Sequence, residues 1–154
     1  MTLAFLPVGR DALAAWATDG VLRGPTTAFA VTTAFMDAFG YDSPTDEHAE
    51  HEVLRAASVQ ALIDFGRRLV VVADVPVEAA GDVLGRVQVG DAAFDTVLSI
   101  FRDDAQAAEA TALAPAVSGM TLDEALDMVD VQQMLSDVEL LWYGPTEWPE
   151  ACDD

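Results

Sequence analysis

The densest group of residues that could do chemistry is the polar run Asp46-Glu47-His48-Ala49-Glu50-His51-Glu52. If this run is helical, His48 lies beside both His51 and Glu52, because residues three and four positions apart share one face. Two imidazoles and a carboxylate are ligands that zinc accepts. His48, His51 and Glu52 are therefore a candidate metal site that needs further ligands from elsewhere. The alternative is a solvated helix start, where acids complement the helix dipole.

Other catalytic motifs are missing from the sequence. The serines lie in no G-x-S-x-G elbow, there is no lysine for a P-loop, and Cys152 is the only cysteine. No cofactor is therefore expected. Asp74 stands near the end of the apolar run LVVVADV, and a partly buried carboxylate needs a partner. Arg67, Arg68 and Arg102 are the candidates, so a carboxylate-based site near Asp74 is one hypothesis.

The charge of the chain is strongly negative. Its 154 residues carry 27 acids, 7 arginines and a formal charge of −20, and residues 103–154 contain no basic residue. Such a surface repels nucleic acid and anionic membranes, since binding to either depends on Lys and Arg. Direct binding to either is not expected, and the charge favours a basic protein partner. Alternatively, the charge serves only solubility.

Three aromatic residues near the end of the chain, Trp142, Tyr143 and Trp148, are the remaining candidate for recognition. Tryptophan and tyrosine either complete a core or anchor an interface, because they combine a large apolar area with a polar group. If they are exposed beside the acidic half of the chain, they form a candidate partner surface.

One long helix is expected near residues 44–65. Ser43 is a suitable N-cap, Pro44 suits the first helical position, and Gly66 is a typical end. Apolar residues between these limits repeat at three- and four-residue spacing, which indicates one buried face. The run LVVVADV that follows is typical of a central strand covered on both faces.

The second half of the chain predicts shorter elements. Residues 83–89 and 93–101 flank Gly90-Asp91, a turn-prone pair, and predict a β-hairpin. Asp103 and Asp104 are expected to cap a helix that Pro115 ends.

The predicted order of elements, β-α-β-α-β-β-β-α-α-β, mixes helical crossovers with a hairpin. It predicts an α+β fold with a single mixed sheet of about six strands and helices packed on it. A chain of 154 residues corresponds to about one domain. Residues 1–154 are therefore expected to form a single domain, with a flexible acidic tail from about residue 144. The lack of a leader-like start or long apolar run predicts a cytoplasmic protein.

Several segments, in order along nearly the whole chain, carry a family resemblance. They are Phe5-Leu6-Pro7, Thr27-Ala28-Phe29-Ala30-Val31-Thr32, Arg67-Arg68 followed by Val70-Val71-Val72-Ala73-Asp74-Val75, Asp103-Asp104, and Leu140-Leu141-Trp142-Tyr143. Together they resemble an uncharacterised family of small acidic proteins from actinobacteria, known only by a domain-of-unknown-function label. The resemblance implies a bacterial cytoplasmic single domain, and it implies no activity, cofactor or catalytic residue.

The leading hypothesis is a non-catalytic interaction or regulatory protein that docks a basic partner through its acidic C-terminal half. The alternative is a small enzyme or metal-binding protein with a carboxylate-based site near Asp74. A deep pocket lined by Asp74 and an arginine favours the enzyme, whereas a flat acidic surface favours association.

Overall fold

Seven strands form one sheet in which every neighbouring pair is antiparallel. The computed structural model describes residues 1–104 and 108–153. Its elements are β1 (Thr2–Pro7), α1 (Arg10–Asp19), β2 (Val21–Leu22), β3 (Thr26–Phe29), α2 (Thr33–Phe39), α3 (Glu47–Phe65), β4 (Leu69–Val75), β5 (Val77–Ala79), β6 (Arg86–Val89), β7 (Ala92–Ala93), the 3-10 turn η1 (Phe94–Thr96), β8 (Val97–Arg102), α4 (Glu109–Val117), α5 (Leu122–Leu126), α6 (Val129–Asp137), β9 (Leu141–Tyr143), the 3-10 turn η2 (Pro145–Glu147) and α7 (Trp148–Cys152).

The strand order across the sheet is β5-β6-β3-β1-β4-β8-β9, and β2 pairs with β7 in a separate ribbon. The α+β class is confirmed. The sheet has one strand more than expected, and it is antiparallel where the sequence predicts a mixed sheet. The connection from β3 through α2 and α3 to β4 passes over β1, which lies between them and is antiparallel to both. A helical crossover therefore brings no parallel pair into contact.

The long helix α3 is confirmed, but its start differs from the expected one. Asp46 is the N-cap, and its carboxylate accepts hydrogen bonds from the backbone N–H groups of His48 and Ala49. The Ser43 hydroxyl instead accepts from the N–H of Thr45 in the preceding turn. A carboxylate at the N-cap also complements the positive end of the helix dipole, so Asp46 is well suited to this position.

The hairpin expected around Gly90-Asp91 is wrong. β6 pairs with β3 and β5, and β7 pairs with β2. The Asp91 carboxylate accepts hydrogen bonds from the Gly24 N–H at 2.9 Å and from Arg23 at 3.1 Å. These contacts, the Gly24 hydrogen bond first, lower the pKa of Asp91. The turn is therefore tied to the β2–β3 loop and does not close a hairpin.

The main sheet is curved, because β4 and the edge strand β5 are joined directly at Pro76 although they lie four places apart in the strand order. Before the proline β4 pairs with β1, and after it β5 pairs with β6. Strands β1, β3 and β6 lie between β4 and β5 and pair in that order, so the sheet remains open, with β5 and β9 as its edge strands. Proline has no N–H to donate to a ladder, so it is tolerated at such a junction.

The sheet has a core on each face, because successive strand residues point to opposite sides. Phe5 and Phe29, which are paired across β1 and β3, lie in the core under α3. Ala4 and Leu6 lie in the opposite core with Trp16 of α1. Among residues 1–104 and 108–153, no helix has the length and apolar composition needed to cross a bilayer.

Gly85 is a position where the fold requires glycine. Its φ is +86°, and a Cβ atom there would lie 2.4 Å from the backbone oxygen of Ala30. We expect Gly85→Ala to lower the free energy of unfolding by roughly 2–3 kcal/mol, since it adds a backbone clash to a left-handed conformation. Gly81 is the matched control, because its φ is +72° and nothing lies within 4 Å of the added Cβ. Gly81→Ala should cost about 1 kcal/mol. If urea unfolding showed equal losses of stability for the two variants, the close approach of position 85 to the Ala30 backbone oxygen would be contradicted.

Candidate functional site: the Arg68 network and the β9 edge

A buried ion pair joins the start of β4 to the end of β8. Arg68, which is 2% exposed, donates from Nε and Nη2 to Oδ1 of Asp103 at 2.8 and 2.6 Å. Oδ2 of Asp103 accepts from the backbone N–H of Arg68 at 3.1 Å, and the Asp103 N–H donates to the Arg68 carbonyl at 3.2 Å. Charge-assisted bonds of this kind are strong, and losing either partner leaves a buried charge unpaired.

The same guanidinium also holds the segment that leads into β9. Nη2 of Arg68 donates to the backbone oxygen of Val138 at 3.0 Å. Val138 is the C-cap of α6, and β9 begins three residues later. The ion pair therefore positions β9 against β8.

A second buried arginine, Arg102, fastens the end of the chain. Its Nε donates to the backbone oxygen of Asp103 at 2.8 Å. Its Nη1 donates to the backbone carbonyls of Glu150, Ala151 and Asp153. These carbonyls lie at the C-terminal end of α7, where a cation also complements the helix dipole. Residues 145–152, where the sequence predicts a flexible tail, form η2 and α7, with Ala151 buried.

Strand β9 places two apolar side chains at an edge of the sheet. Trp142 is 62% exposed and Leu141 is 40% exposed. Tyr143 and Trp148 are half-buried and pack against the core on the α1 face. In the described part of the chain, β9 pairs with β8 on one side and with no strand on the other. Of the three predicted aromatic residues, Trp142 alone is freely presented to solvent.

Acidic residues flank this exposed strand. Glu139 precedes it and Glu147 follows it, and both are exposed. The Glu147 carboxylate accepts a hydrogen bond from the Gly144 N–H at 2.9 Å, which keeps it close to the strand end. We call Leu141 and Trp142, with Glu139 and Glu147 beside them, the β9 edge surface.

The predicted metal ligands do not come together with others. His48 has a side chain that is 92% exposed and lies 3.7 Å from the Asp46 carboxylate, while His51 borders a cavity with Arg55. Across the described ranges, no group of three or more histidine, cysteine, aspartate or glutamate side chains is arranged to hold a metal ion. The metal site at His48, His51 and Glu52 stays a prediction from sequence.

Asp74 lies away from the arginines expected to partner it. Arg68 lies one residue before β4 and is bonded to Asp103. Arg102 lies at the end of β8 and is bonded to the C-terminal carbonyls. Asp74, by contrast, lies near the far end of β4. Six residues of strand span about 20 Å. Asp74 instead lines a cavity of about 300 Å³ with Glu50. Burial, with smaller contributions from Glu47 and Asp46, raises the pKa of Glu50.

The Arg68–Asp103 pair is the feature that sequence reasoning missed. Asp103 was expected to be a helix cap, but α4 begins at Glu109 and continues through Pro115 to Val117. The start of the expected helix, residues 105–107, lies outside the described residues. The sequence did contain a signal for the pair: Arg68 and Asp103 each stand beside the end of an apolar strand, and a charged residue in such a position needs a counter-charge.

A model of a protein family of unknown function, DUF6912, matches residues 2–151. The chain belongs to this family. The matched residues include both members of the Arg68–Asp103 pair and the whole of β9. No curated protein and no solved structure matches the chain.

We expect Asp103→Leu to lower the free energy of unfolding by about 3–5 kcal/mol, because it leaves the Arg68 guanidinium buried without its counter-charge. Arg68→Met should be similarly costly. The double variant should be more stable than either single variant, since it buries no unpaired charge. Glu52→Gln, which breaks the exposed 3.4 Å pair with Arg55, is the control and should cost less than about 1 kcal/mol. Additive losses in the double variant would refute the coupling.

The reactivity of Cys152, the last residue of α7, measures how firmly α7 is held against the rest of the fold. Burial raises the pKa of its thiol above the ordinary value of 9.0, with nearby Arg10 acting in the opposite direction. Alkylation by iodoacetamide should therefore be slower at pH 8 in the folded protein than in the unfolded chain. Arg102→Gln should accelerate it by at least about fivefold through release of α7. Because the Arg102 charge lowers the pKa of Cys152, its loss alone would slow alkylation. A faster reaction would therefore show that α7 opens. Arg23→Gln is the control, and an unchanged rate in Arg102→Gln would contradict the fastening role.

Proposed function

We propose that the protein acts by association, and that its β9 edge surface binds a basic, extended segment of a partner protein. The observation that carries the proposal is the position of Trp142, which is 62% exposed on a strand with an open edge. The partner segment would add to β9 as a further strand. Backbone hydrogen bonds would supply affinity and the side chains specificity, as in other cases of strand addition.

The exposed tryptophan supports this proposal more strongly than acidity alone does. Single exposed apolar residues are common on protein surfaces. Here Trp142 lies on an edge strand, with the exposed Leu141 on the opposite face of the same strand, and tryptophan is among the residues that contribute most to binding energy at interfaces. A large indole on a rigid strand loses little conformational entropy when a partner covers it.

Charge complementarity determines which partner is proposed. Glu139 and Glu147 flank β9, while the buried arginines 68 and 102 are occupied by Asp103 and by backbone carbonyls. Residues 103–154 contain 13 acids and no base. A lysine- or arginine-bearing segment would be attracted to this surface, whereas a second copy of the same acidic chain would be repelled.

The proposal includes a non-catalytic role in the bacterial cytoplasm. The free thiol of Cys152 is in keeping with a reducing compartment.

A carboxylate-based enzyme near Asp74 is the second candidate function. One observation favours it: Glu50 and Asp74 line the same cavity, and the pKa of Glu50 is raised by burial. A carboxyl group whose pKa is raised by burial in a cavity is a pattern found in general acid–base catalysis. The expected arginine is absent among the residues that line this cavity. For that reason we rank association first.

A synthetic peptide of alternating lysine and valine, KVKVKVKV, tests the association. We expect it to bind in a fluorescence anisotropy titration at low salt, and to bind more weakly as salt rises. Trp142→Ser should weaken binding roughly tenfold or more, as at other interface hot spots. Val129→Ser is the matched control, because Val129 is an apolar residue 75% exposed on α6.

The peptide KVKPKVKV has the same charge but lacks one backbone N–H, so it should bind less tightly than the parent if a strand is added. Equal binding of the two peptides would exclude strand addition. Equal effects of Trp142→Ser and Val129→Ser would exclude the β9 edge surface.

A further inference from the structure

A cavity of about 530 Å³ lies between α3, β8 and the segment from α6 to β9. We call it the α3–β8 cleft. Its apolar lining includes Leu54, Phe101 and Leu135, and its polar lining includes Arg55 and Arg68. Cavities of roughly 300–1,000 Å³ with an apolar wall and a few convergent polar groups are typical sites for small ligands.

Arg68 provides an incompletely used guanidinium at this cleft. Its hydrogen bonds to Asp103 and Val138 come from Nε and Nη2, and none of the described residues accepts a hydrogen bond from Nη1. The side chain is 2% exposed, and it borders both the cleft and a neighbouring cavity of about 260 Å³. No fully buried side-chain nitrogen or oxygen in the described part of the chain lacks a hydrogen-bond partner, so Nη1 counts as a donor at the wall of a cavity and not as an unsatisfied buried group.

Arg55 adds a second cation to the same cleft. Its contact with Glu52 is long, at 3.4 Å, and both side chains are partly exposed, so the pair contributes little. Its guanidinium is therefore free to turn to a stronger acceptor. Ser58, which is fully buried beside it, donates its hydroxyl to the Arg55 carbonyl at 2.7 Å and keeps its own oxygen as an acceptor.

We propose that the α3–β8 cleft binds a small organic carboxylate with an apolar body. The carboxylate would accept hydrogen bonds from Arg68 Nη1 and from Arg55, and the apolar body would lie against Leu54, Phe101 and Leu135. The planar guanidinium matches a carboxylate in geometry and charge. Glu139 also borders the cleft and is exposed, and its carboxylate would oppose an anionic ligand. The cleft shares Glu139 with the β9 edge surface, but the contacts proposed for the ligand involve neither Trp142 nor Leu141.

Octanoate is the probe, and octan-1-ol is its neutral counterpart with the same chain. In isothermal titration calorimetry, we expect the wild-type protein to bind octanoate at least tenfold more tightly than octan-1-ol. Arg55→Gln should weaken octanoate binding about tenfold, which corresponds to 1.4 kcal/mol. Arg23→Gln removes the same charge from a distant, 78% exposed side chain and should leave binding unchanged. Glu139→Gln should leave it unchanged or strengthen it.

Amide chemical shifts of the wild-type protein locate the site without any substitution. Octanoate should shift the signals of Leu54, Phe101 and Leu135 and leave that of Gly81, on a remote loop, unchanged. The proposal is overturned by an absence of binding at millimolar octanoate, by equal binding of octan-1-ol, by equal effects of Arg55→Gln and Arg23→Gln, or by shifts confined to residues outside the cleft.

Discussion

The buried ion pair between Arg68 and Asp103 is the constraint on which the arrangement of the second half of the chain depends. Two charges removed from water are tolerated only when their geometry is good and their remaining hydrogen-bonding groups find partners. Here the pair is supported by two backbone contacts between the same residues and by the Val138 carbonyl. The beginning of β4, the end of β8 and the approach to β9 are thereby held together at one point.

Two of the seven arginines, Arg68 and Arg102, are buried inside the fold rather than exposed on the acidic surface. Arg68 is bonded to Asp103, Arg102 to the carbonyls around α7, and Arg86 to Asp82. The excess of acids is therefore left on the outside, where hydration makes it tolerable. The two proposals use different parts of this distribution: the β9 edge surface faces solvent with acidic residues beside it, and the α3–β8 cleft is lined by Arg55 and Arg68.

Much of the fold follows from local signals in the sequence. The long helix between Asp46 and Gly66 and the central strand β4 were both expected, because their periodicity and end residues are strong. The hairpin around Asp91 was not formed, since a carboxylate bonded to Gly24 and Arg23 redirects the turn. Contacts between residues so far apart in the chain cannot be predicted from a short stretch of sequence.

The amino-acid sequence by itself determined the class of fold, the long helix, the central strand, and the excess of negative charge with its exclusion of nucleic acid as an expected partner. These properties depend on composition and on neighbours three or four residues apart. Tertiary structure alone decided that Arg68 meets Asp103, that Trp142 is exposed while Trp148 packs, and that Asp74 lies far from the arginines. Each of these depends on which strands become neighbours, and strand order is set by the burial of both sheet faces together.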